Sequence, residues 1–245
     1  MTPPKGTYLF FVGIGGAGMS ALAAWLHGQG YAVAGYDRIQ GPLCRHLEDL
    51  GIPVIYGNQI EEIPEAWNHA DCWCIYTPAV AMNNPLLSHF ERLGAPLKKR
   101  AVLLAECLAP FKVLAVAGTH GKTTTSCMLA WLMDQTIGQT SAVLGGVAAN
   151  FERNYLSTDK SIFAVTEADE FDRSFLQLNP WISVLTSMDA DHLDIYGDDQ
   201  EIHKAFQQFA LQTRPDGVLI AQHDLSIPPL EAKIRRYGIE RGYYA

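Results

Sequence analysis

A lysine in a glycine-rich loop is the first residue of this sequence with an evident chemical role. The segment AVAGTHGKTTT, residues 115–125, follows an apolar run and precedes a helical pattern. Glycines allow tight curvature there, so backbone N–H groups and the helix N-terminus can face a phosphate. We expect Lys122 to reach the β- and γ-phosphates of ATP and the Thr123 hydroxyl to bind Mg²⁺. The expected ATP-binding residues are Gly118, Thr119, His120, Gly121, Lys122, Thr123 and Thr124.

This loop is a shortened form of the common eight-residue phosphate-loop signature. That signature has a glycine five positions before the Gly-Lys pair, and Val116 occupies the corresponding position here. The strand-loop-helix context and the Gly-Lys-Thr triplet are retained, so the prediction rests on that context.

Acidic residues follow two further apolar runs. The segment AVTEADEFD, residues 164–172, carries Glu167, Asp169, Glu170 and Asp172, and MDADHLD, residues 188–194, carries Asp189, Asp191, His192 and Asp194. Ligand sites of parallel α/β sheets form at the carboxyl ends of the strands, so both groups can converge on the phosphate loop. Together the three segments predict a Mg-ATP site.

A second glycine loop lies near the amino terminus. Gly13, Gly15 and Gly18 follow an apolar run at the Gly-x-Gly-x-x-Gly spacing of a dinucleotide-binding turn, and Asp37 stands 19 residues after Gly18. An acidic residue at that place is typical of ribose binding by NAD enzymes. Taken alone, the first hundred residues therefore favour an NAD-dependent oxidoreductase, which leaves the loop at Lys122 unexplained.

The elements that must position these loops form two series of alternating strands and helices, which is typical of parallel sheets. The first series covers residues 1–108 and predicts a Rossmann-like domain. The second covers residues 109–245 and predicts a P-loop-type α/β ATP-binding domain. Its helix over 122–133 is almost wholly apolar, so we expect it to be buried. The basic run Lys98-Lys99-Arg100 is expected to be solvated, with contact to a nucleotide-sugar diphosphate as the alternative.

Composition places the chain among soluble proteins. Of 245 residues, 48% are hydrophobic and 18% are charged, and mean hydropathy is close to zero. The net charge of −8 argues against a nucleic-acid partner, and the short apolar runs argue against a membrane segment. Five cysteines without a CxxC pair indicate a reducing, cytoplasmic environment.

Four ordered motifs resemble those of the Mur ligase family, the ATP-dependent amide-forming ligases of peptidoglycan precursor synthesis. They are GIGGAGMS at 13–20, AVAGTHGKTTT at 115–125, EADEFDRSF at 167–175 and DADHLDIYG at 189–197. YTPAV at 76–80 is a further similarity within the family. The resemblance spans most of the chain.

The resemblance implies a reaction and a set of site residues. ATP would activate the lactyl carboxylate of UDP-N-acetylmuramate as an acyl phosphate, and the amine of L-alanine would then attack. Lys122, Glu167 and His192 would be catalytic, and Thr123, Glu167 and His192 would bind Mg²⁺. The UDP-sugar would lie against residues of the first glycine loop and of two later strand ends: Gly13, Gly15, Gly16, Gly18, Met19, Ser20, Asp37 and Thr77.

Several alternatives stay open at this point. A related member of the family attaches a recycled tripeptide in place of L-alanine, and an NAD-dependent oxidoreductase or a non-catalytic nucleotide-binding fragment would also contain glycine loops. The protein would be a monomer or a homodimer. Because the family has a third, C-terminal domain, the resemblance also implies that this chain is truncated and inactive alone.

Overall fold

Two units make up the chain, Met1–Cys107 and Leu108–Ala245. The computed structural model describes residues 2–158, 160–189, 199–238 and 242–244. Each unit contains its own sheet with helices, so the expected α/β class is confirmed. Among the described residues, no helix combines the length and the apolarity needed to cross a bilayer.

The first unit is built on a five-stranded parallel sheet. Its elements are β1 (Tyr8–Val12), α1 (Ala17–Gly28), β2 (Ala32–Tyr36), α2 (Pro42–Asp49), β3 (Val54–Ile55), β4 (Trp73–Tyr76), α3 (Pro85–Arg92), β5 (Leu97–Lys99) and α4 (Arg100–Leu108). The strand order is β3-β2-β1-β4-β5, and every neighbouring pair is parallel. The order reverses beside β1, which is where parallel α/β sheets bind ligands.

Burial explains why the first strands read as unbroken apolar runs. Strand β1 is covered on both faces, and Phe10 and Phe11 are both fully buried. Helix α1 is buried from Met19 to Leu26, so it is apolar around its circumference. The sheet therefore holds the segment after β1 on a rigid support.

The second unit contains an eight-stranded sheet. Its elements are β6 (Lys112–Ala117), α5 (Lys122–Thr136), β7 (Thr140–Ala148), β8 (Arg153–Leu156), β9 (Phe163–Glu167), β10 (Ile182–Leu185), α6 (Asp199–Leu211), β11 (Val218–Gln222), β12 (Lys233–Gly238) and β13 (Gly242–Tyr244). The order is β13-β12-β11-β10-β6-β9-β7-β8, with antiparallel pairing only at the two edges. Strands β6, β9 and β10 are therefore adjacent and end at the same edge.

The expectation that the helix after the phosphate loop is buried was wrong. In α5 only Ser126 and Ala130 are buried, whereas the side chains of Met128 and Leu132 are more than half exposed. Ser126 and Ala130, four positions apart, face the sheet, and Leu129 and Met133 are partly buried against the same core, whereas Met128 and Leu132 point away from it. Apolar content along a helix does not specify which face packs when small residues occupy the contact.

Candidate functional site

The loop between β6 and α5 forms a pocket at the carboxyl edge of the second sheet. A cavity of about 280 Å³ is lined by the run Thr119–Thr124. Gly121 has φ of 81°, and Gly118 has φ of 135°. A side chain at Gly118 would collide with the Thr186 hydroxyl, so both its backbone angle and its surroundings require glycine.

Lys122 points back over this loop. Its ammonium nitrogen Nζ donates to the Gly118 carbonyl at 2.8 Å and to the Glu170 carboxylate oxygen Oε1 at 2.8 Å, and a longer contact of 3.4 Å reaches the Thr119 carbonyl. The Lys122 side chain is 17% exposed and that of Glu170 is 1% exposed. The sequence grouped Glu170 with the acidic residues but did not reveal that it pairs with Lys122.

Glu167 lies at the end of β9 and is held by the neighbouring strand and helix. Its oxygen Oε1 accepts a hydrogen bond from the Gly145 N–H at 2.9 Å and one from the Ser126 hydroxyl at 3.3 Å. A Cβ at Gly145 would lie 2.8 Å from the Glu167 carboxyl carbon, and a Cβ at Gly146 would lie 2.8 Å from the Thr123 methyl. Glu167 and Thr123 thus flank the same glycine pair of β7.

These two residues fit a magnesium ion. Glu167 supplies a carboxylate, and Thr123 supplies a hydroxyl on an exposed residue at the start of α5. Mg²⁺ is bound through one or two protein oxygens together with water and substrate phosphates. Within the described residues, no cluster of three His, Cys, Asp or Glu side chains could hold a metal alone. The donor set therefore suits an ion that arrives with a phosphate.

Residues that directly follow β10 form hydrogen bonds with the loop between β6 and α5. The Thr186 hydroxyl lies 3.1 Å from the Ala117 carbonyl and 2.5 Å from that of His120, and the Ser187 hydroxyl accepts from the His120 N–H at 3.0 Å. The Thr119 hydroxyl donates to the Asp189 carbonyl at 2.9 Å. Sequence reasoning missed Thr186 and Ser187, although two hydroxyl residues directly after a buried strand were a usable signal.

Of the two histidines expected near ATP, the structure describes His120 but not His192. The His120 side chain is 73% exposed, and its Nε2 lies 4.0 Å from the Asp189 carboxylate. Asp191, His192 and Asp194 lie outside the described residues, so the expected roles of His192 stay predictions.

The first glycine loop joins β1 to α1 and is closed by hydrogen bonds. Gly13 has φ of 86° and donates to the Tyr36 carbonyl at 2.7 Å. The Gly15 N–H donates to the Asp37 oxygen Oδ2 at 2.8 Å, and the Ile39 N–H donates to Oδ1 at 3.1 Å. Asp37 thus braces the loop from the end of β2.

The other residues expected in the first site divide by accessibility. Thr77 follows β4, and its methyl would lie 3.7 Å from a Cβ at Gly13, so it borders the loop. Met19 and Ser20 are each 2% exposed, and the Ser20 hydroxyl donates to the Ala17 carbonyl at 3.0 Å. The geometry therefore brings Thr77 and the glycines to the loop surface but buries the Met19 and Ser20 side chains beneath it.

Two family models match the sequence of the chain, one for each glycine loop. The catalytic domain of the Mur ligase family matches residues 9–112, and the Mur ligase middle domain matches residues 116–242, which is more than half of the chain. The chain belongs to the Mur ligase family. The family resemblance expected from the four motifs is therefore confirmed.

Two curated relatives of this Mur ligase carry the same activity name. The UDP-N-acetylmuramate–L-alanine ligase of Parabacteroides distasonis is 42% identical over 95% of this chain and 51% of its own length. The ligase of the same name from Christiangramia forsetii is 43% identical over 90% of this chain and 49% of its own. The chain spans about half the length of the curated relatives it matches.

Solved structures of the family share the fold. One is the UDP-N-acetylmuramate:L-alanyl-gamma-D-glutamyl-meso-diaminopimelate ligase of Neisseria meningitides, with a TM-score of 0.86 and 27% sequence identity. The match covers 97% of this chain and 79% of the Neisseria chain. The UDP-N-acetylmuramate–alanine ligase of Thermotoga maritima matches with a TM-score of 0.82 and 26% identity, covering 96% and 53%. Both structures belong to ligases rather than to NAD-dependent oxidoreductases.

Proposed function

We propose that this chain supplies the UDP-sugar-binding and ATP-binding parts of an ADP-forming ligase. The ligase would join L-alanine to the lactyl carboxylate of UDP-N-acetylmuramate. The observation that carries the proposal is the second glycine loop, in which Lys122 faces a buried acidic residue and Thr123 and Glu167 flank the glycine pair of β7. An NAD-dependent oxidoreductase would not explain the presence of this second glycine loop. The activity name of the curated relatives, at about 40% identity, supports the same reaction.

Each unit would bind one phosphate ligand. Residues 1–108 would bind UDP-N-acetylmuramate, with its diphosphate against the loop from Gly13 to Gly18, where backbone N–H groups and the start of α1 favour an anion. Residues 109–245 would bind ATP along the run Gly118–Thr124. Two separate loops allow both anions to be bound at once.

The described residues would act by positioning and by neutralising charge. Lys122 would hold the phosphates of ATP and stabilise the negative charge on the phosphoryl group as it transfers to the lactyl carboxylate. Thr123 and Glu167 would hold Mg²⁺, which supplies Lewis-acid stabilisation of phosphate charge when bound. The resulting acyl phosphate is attacked by the amine, and phosphate leaves as the amide forms. His192 would complete this set.

A tripeptide is the second candidate for the amine substrate. The Neisseria structure, which matches with the higher TM-score of the two, is named as a ligase of UDP-N-acetylmuramate and a tripeptide. L-Alanine remains the favoured amine because the curated relatives named for it are more similar in sequence, at 42% and 43% identity against 27%.

A ligation assay tests this function. The full-length protein is incubated with UDP-N-acetylmuramate, Mg-ATP and either L-alanine or L-alanyl-γ-D-glutamyl-diaminopimelate, and phosphate release and product mass are followed. We expect phosphate release to depend on the sugar nucleotide and on L-alanine. Product formed only with the tripeptide would reassign the amine, and absence of turnover with both amines would refute the ligase.

A further inference from the structure

Arg100 is the first residue of α4, and it lies against the first glycine loop. A Cβ built on Gly18 would lie 2.9 Å from the Arg100 nitrogen Nη1 and 3.2 Å from Cζ. The guanidinium therefore occupies the space that a side chain at position 18 would take. Gly18 does not adopt a positive φ, so the close approach of Arg100, rather than the backbone angle, is what requires glycine there.

The sheet brings Arg100 to this place through the register of its last two strands. Tyr76 of β4 is paired with Lys99 of β5 in parallel register. Thr77 and Arg100 directly follow these two residues, so both stand at the carboxyl edge of the sheet. The same edge carries the loop after β1. Arg100 is thus placed by β5 in the way that Thr77 is placed by β4.

The two lysines before Arg100 are differently placed. Lys98 Nζ donates to Glu106 at 2.8 Å and lies 5.2 Å from the centroid of the Trp73 ring, so its charge is used within the first unit. Lys99 is exposed. Arg100, the last residue of the run, lies against Gly18 of the loop.

The charges around the loop show what Arg100 contributes. The Asp37 carboxylate accepts the Gly15 N–H on one side of the loop, which places a negative charge beside any bound phosphate. On the side of Gly18 the first turn of α1 carries no acidic residue, and the guanidinium supplies a positive charge. A planar guanidinium can donate two parallel hydrogen bonds to phosphate oxygens.

We infer that Arg100 is the diphosphate-binding residue of the first unit and that Gly18 is small in order to seat it. The inference rests on the proposed function, since it assigns the ligand of this loop as a nucleoside diphosphate. It also accounts for the arginine that stands beside the loop at the end of the basic run.

The test compares UDP with uridine, which differ by the diphosphate alone. Binding of each to the 245-residue chain is followed by NMR titration, which measures weak and tight binding alike. Hydrogen bonds to charged groups are worth enough that we expect Arg100→Ala to weaken UDP binding roughly 10- to 100-fold. Uridine binding should change by less than about twofold, because uridine lacks the charge that Arg100 recognises. Lys99→Ala is the matched control, since it removes the neighbouring positive charge of an exposed residue, whereas Arg100 lies against Gly18.

Gly18→Ala separates seating of the arginine from direct contact with the ligand. The added methyl would displace the guanidinium, which is the flexible end of a side chain, so the variant should fold normally. We expect it to weaken UDP binding as Arg100→Ala does, and the double variant to be no weaker than Arg100→Ala alone. Melting temperatures and Mg-ATP affinity report on folding.

Distinct results overturn the inference and the proposed function. Equal UDP affinity in the wild type and Arg100→Ala would overturn the inference alone, as would equal losses for UDP and uridine, or equal losses in Lys99→Ala and Arg100→Ala. Failure of the wild type to bind either UDP or UDP-N-acetylmuramate would overturn both.

Discussion

The ammonium of Lys122 and the carboxylate of Glu170 form a 2.8 Å salt bridge from which solvent is almost excluded. Two carbonyls of the loop receive the other hydrogen bonds of Lys122, and the one to Thr119 is the longest at 3.4 Å. That hydrogen bond is the one an arriving phosphate could replace at least cost. Glu170 and the Gly118 carbonyl would then keep the ammonium aimed at the loop.

The unequal burial of this pair predicts unequal effects on stability. Lys122→Ala leaves a carboxylate that is 1% exposed without its ammonium, which should lower the free energy of unfolding by about 2–4 kcal/mol. Glu170→Ala leaves an ammonium that still contacts two carbonyls, so we expect a loss of about 1–2 kcal/mol. Urea unfolding without nucleotide measures both. A larger loss in Glu170→Ala than in Lys122→Ala would contradict the assignment of burial.

The contact of Glu167 with Gly145 predicts a variant that affects the metal more than the nucleotide. In Gly145→Ala the new methyl would push the Glu167 carboxylate from its position. We expect the Mg²⁺ concentration needed for half-maximal ATP binding to rise roughly 10-fold, since a metal ligand has been displaced. Calorimetry at several Mg²⁺ concentrations measures this effect. Val147→Ala, an exposed position of the same strand, is the control, and an equal shift in both variants would refute the role of Glu167.

The salt bridge between Glu106 and Lys98 should contribute to the stability of the fold in a pH-dependent way. Burial alone would raise the pKa of the Glu106 carboxyl, but hydrogen bonds and charge attraction, among them those from Lys98, outweigh burial and hold the pKa below its ordinary value. A depressed folded-state pKa stabilises the fold above the unfolded-state value, and that stability is lost as pH falls through the folded-state value. We expect Glu106→Gln to cost about 0.5–1 kcal/mol at pH 7, and less as the pH drops below about 4.5.

Chemical unfolding at a series of pH values checks this prediction. The difference between the wild type and Glu106→Gln should be constant near neutrality and shrink in acid. Lys98→Met should reduce the same pH dependence, because it removes one of the groups that stabilise the carboxylate. A difference that grows as the pH falls would have the wrong sign for this salt bridge.

The sequence predicted the elements that carry both loops because their signals are local. Apolar runs that end in glycine marked β1 and β6, and Ile202, Phe206 and Phe209 at helical spacing marked α6, whose three residues are fully buried. The structure adds α4, the edge strands β5, β8 and β13, and β12, which lies between β11 and β13. Edge strands pair on one side only, so their sequences need no continuous apolar run.

The side-chain contacts within the two sites could not be predicted from local sequence patterns. Glu170 meets Lys122 across 48 positions of sequence, and Thr186 meets the His120 carbonyl across 66. Arg100 meets Gly18 across a comparable separation, whereas the sequence predicts a solvated basic run, with contact to a nucleotide-sugar diphosphate as the alternative. Such pairs depend on strand order, which periodicity does not fix.

Calorimetry with Lys122→Ala tests most directly the claim that the two loops bind different phosphates. Wild-type chain and variant are each titrated with Mg-ATP, UDP-N-acetylmuramate and NADH. We expect the wild type to bind the first two and not NADH, and the variant to lose ATP binding by roughly 100-fold while binding the sugar nucleotide unchanged. Binding of NADH with no binding of ATP, or ATP binding that survives the loss of Lys122 unchanged, would contradict the account.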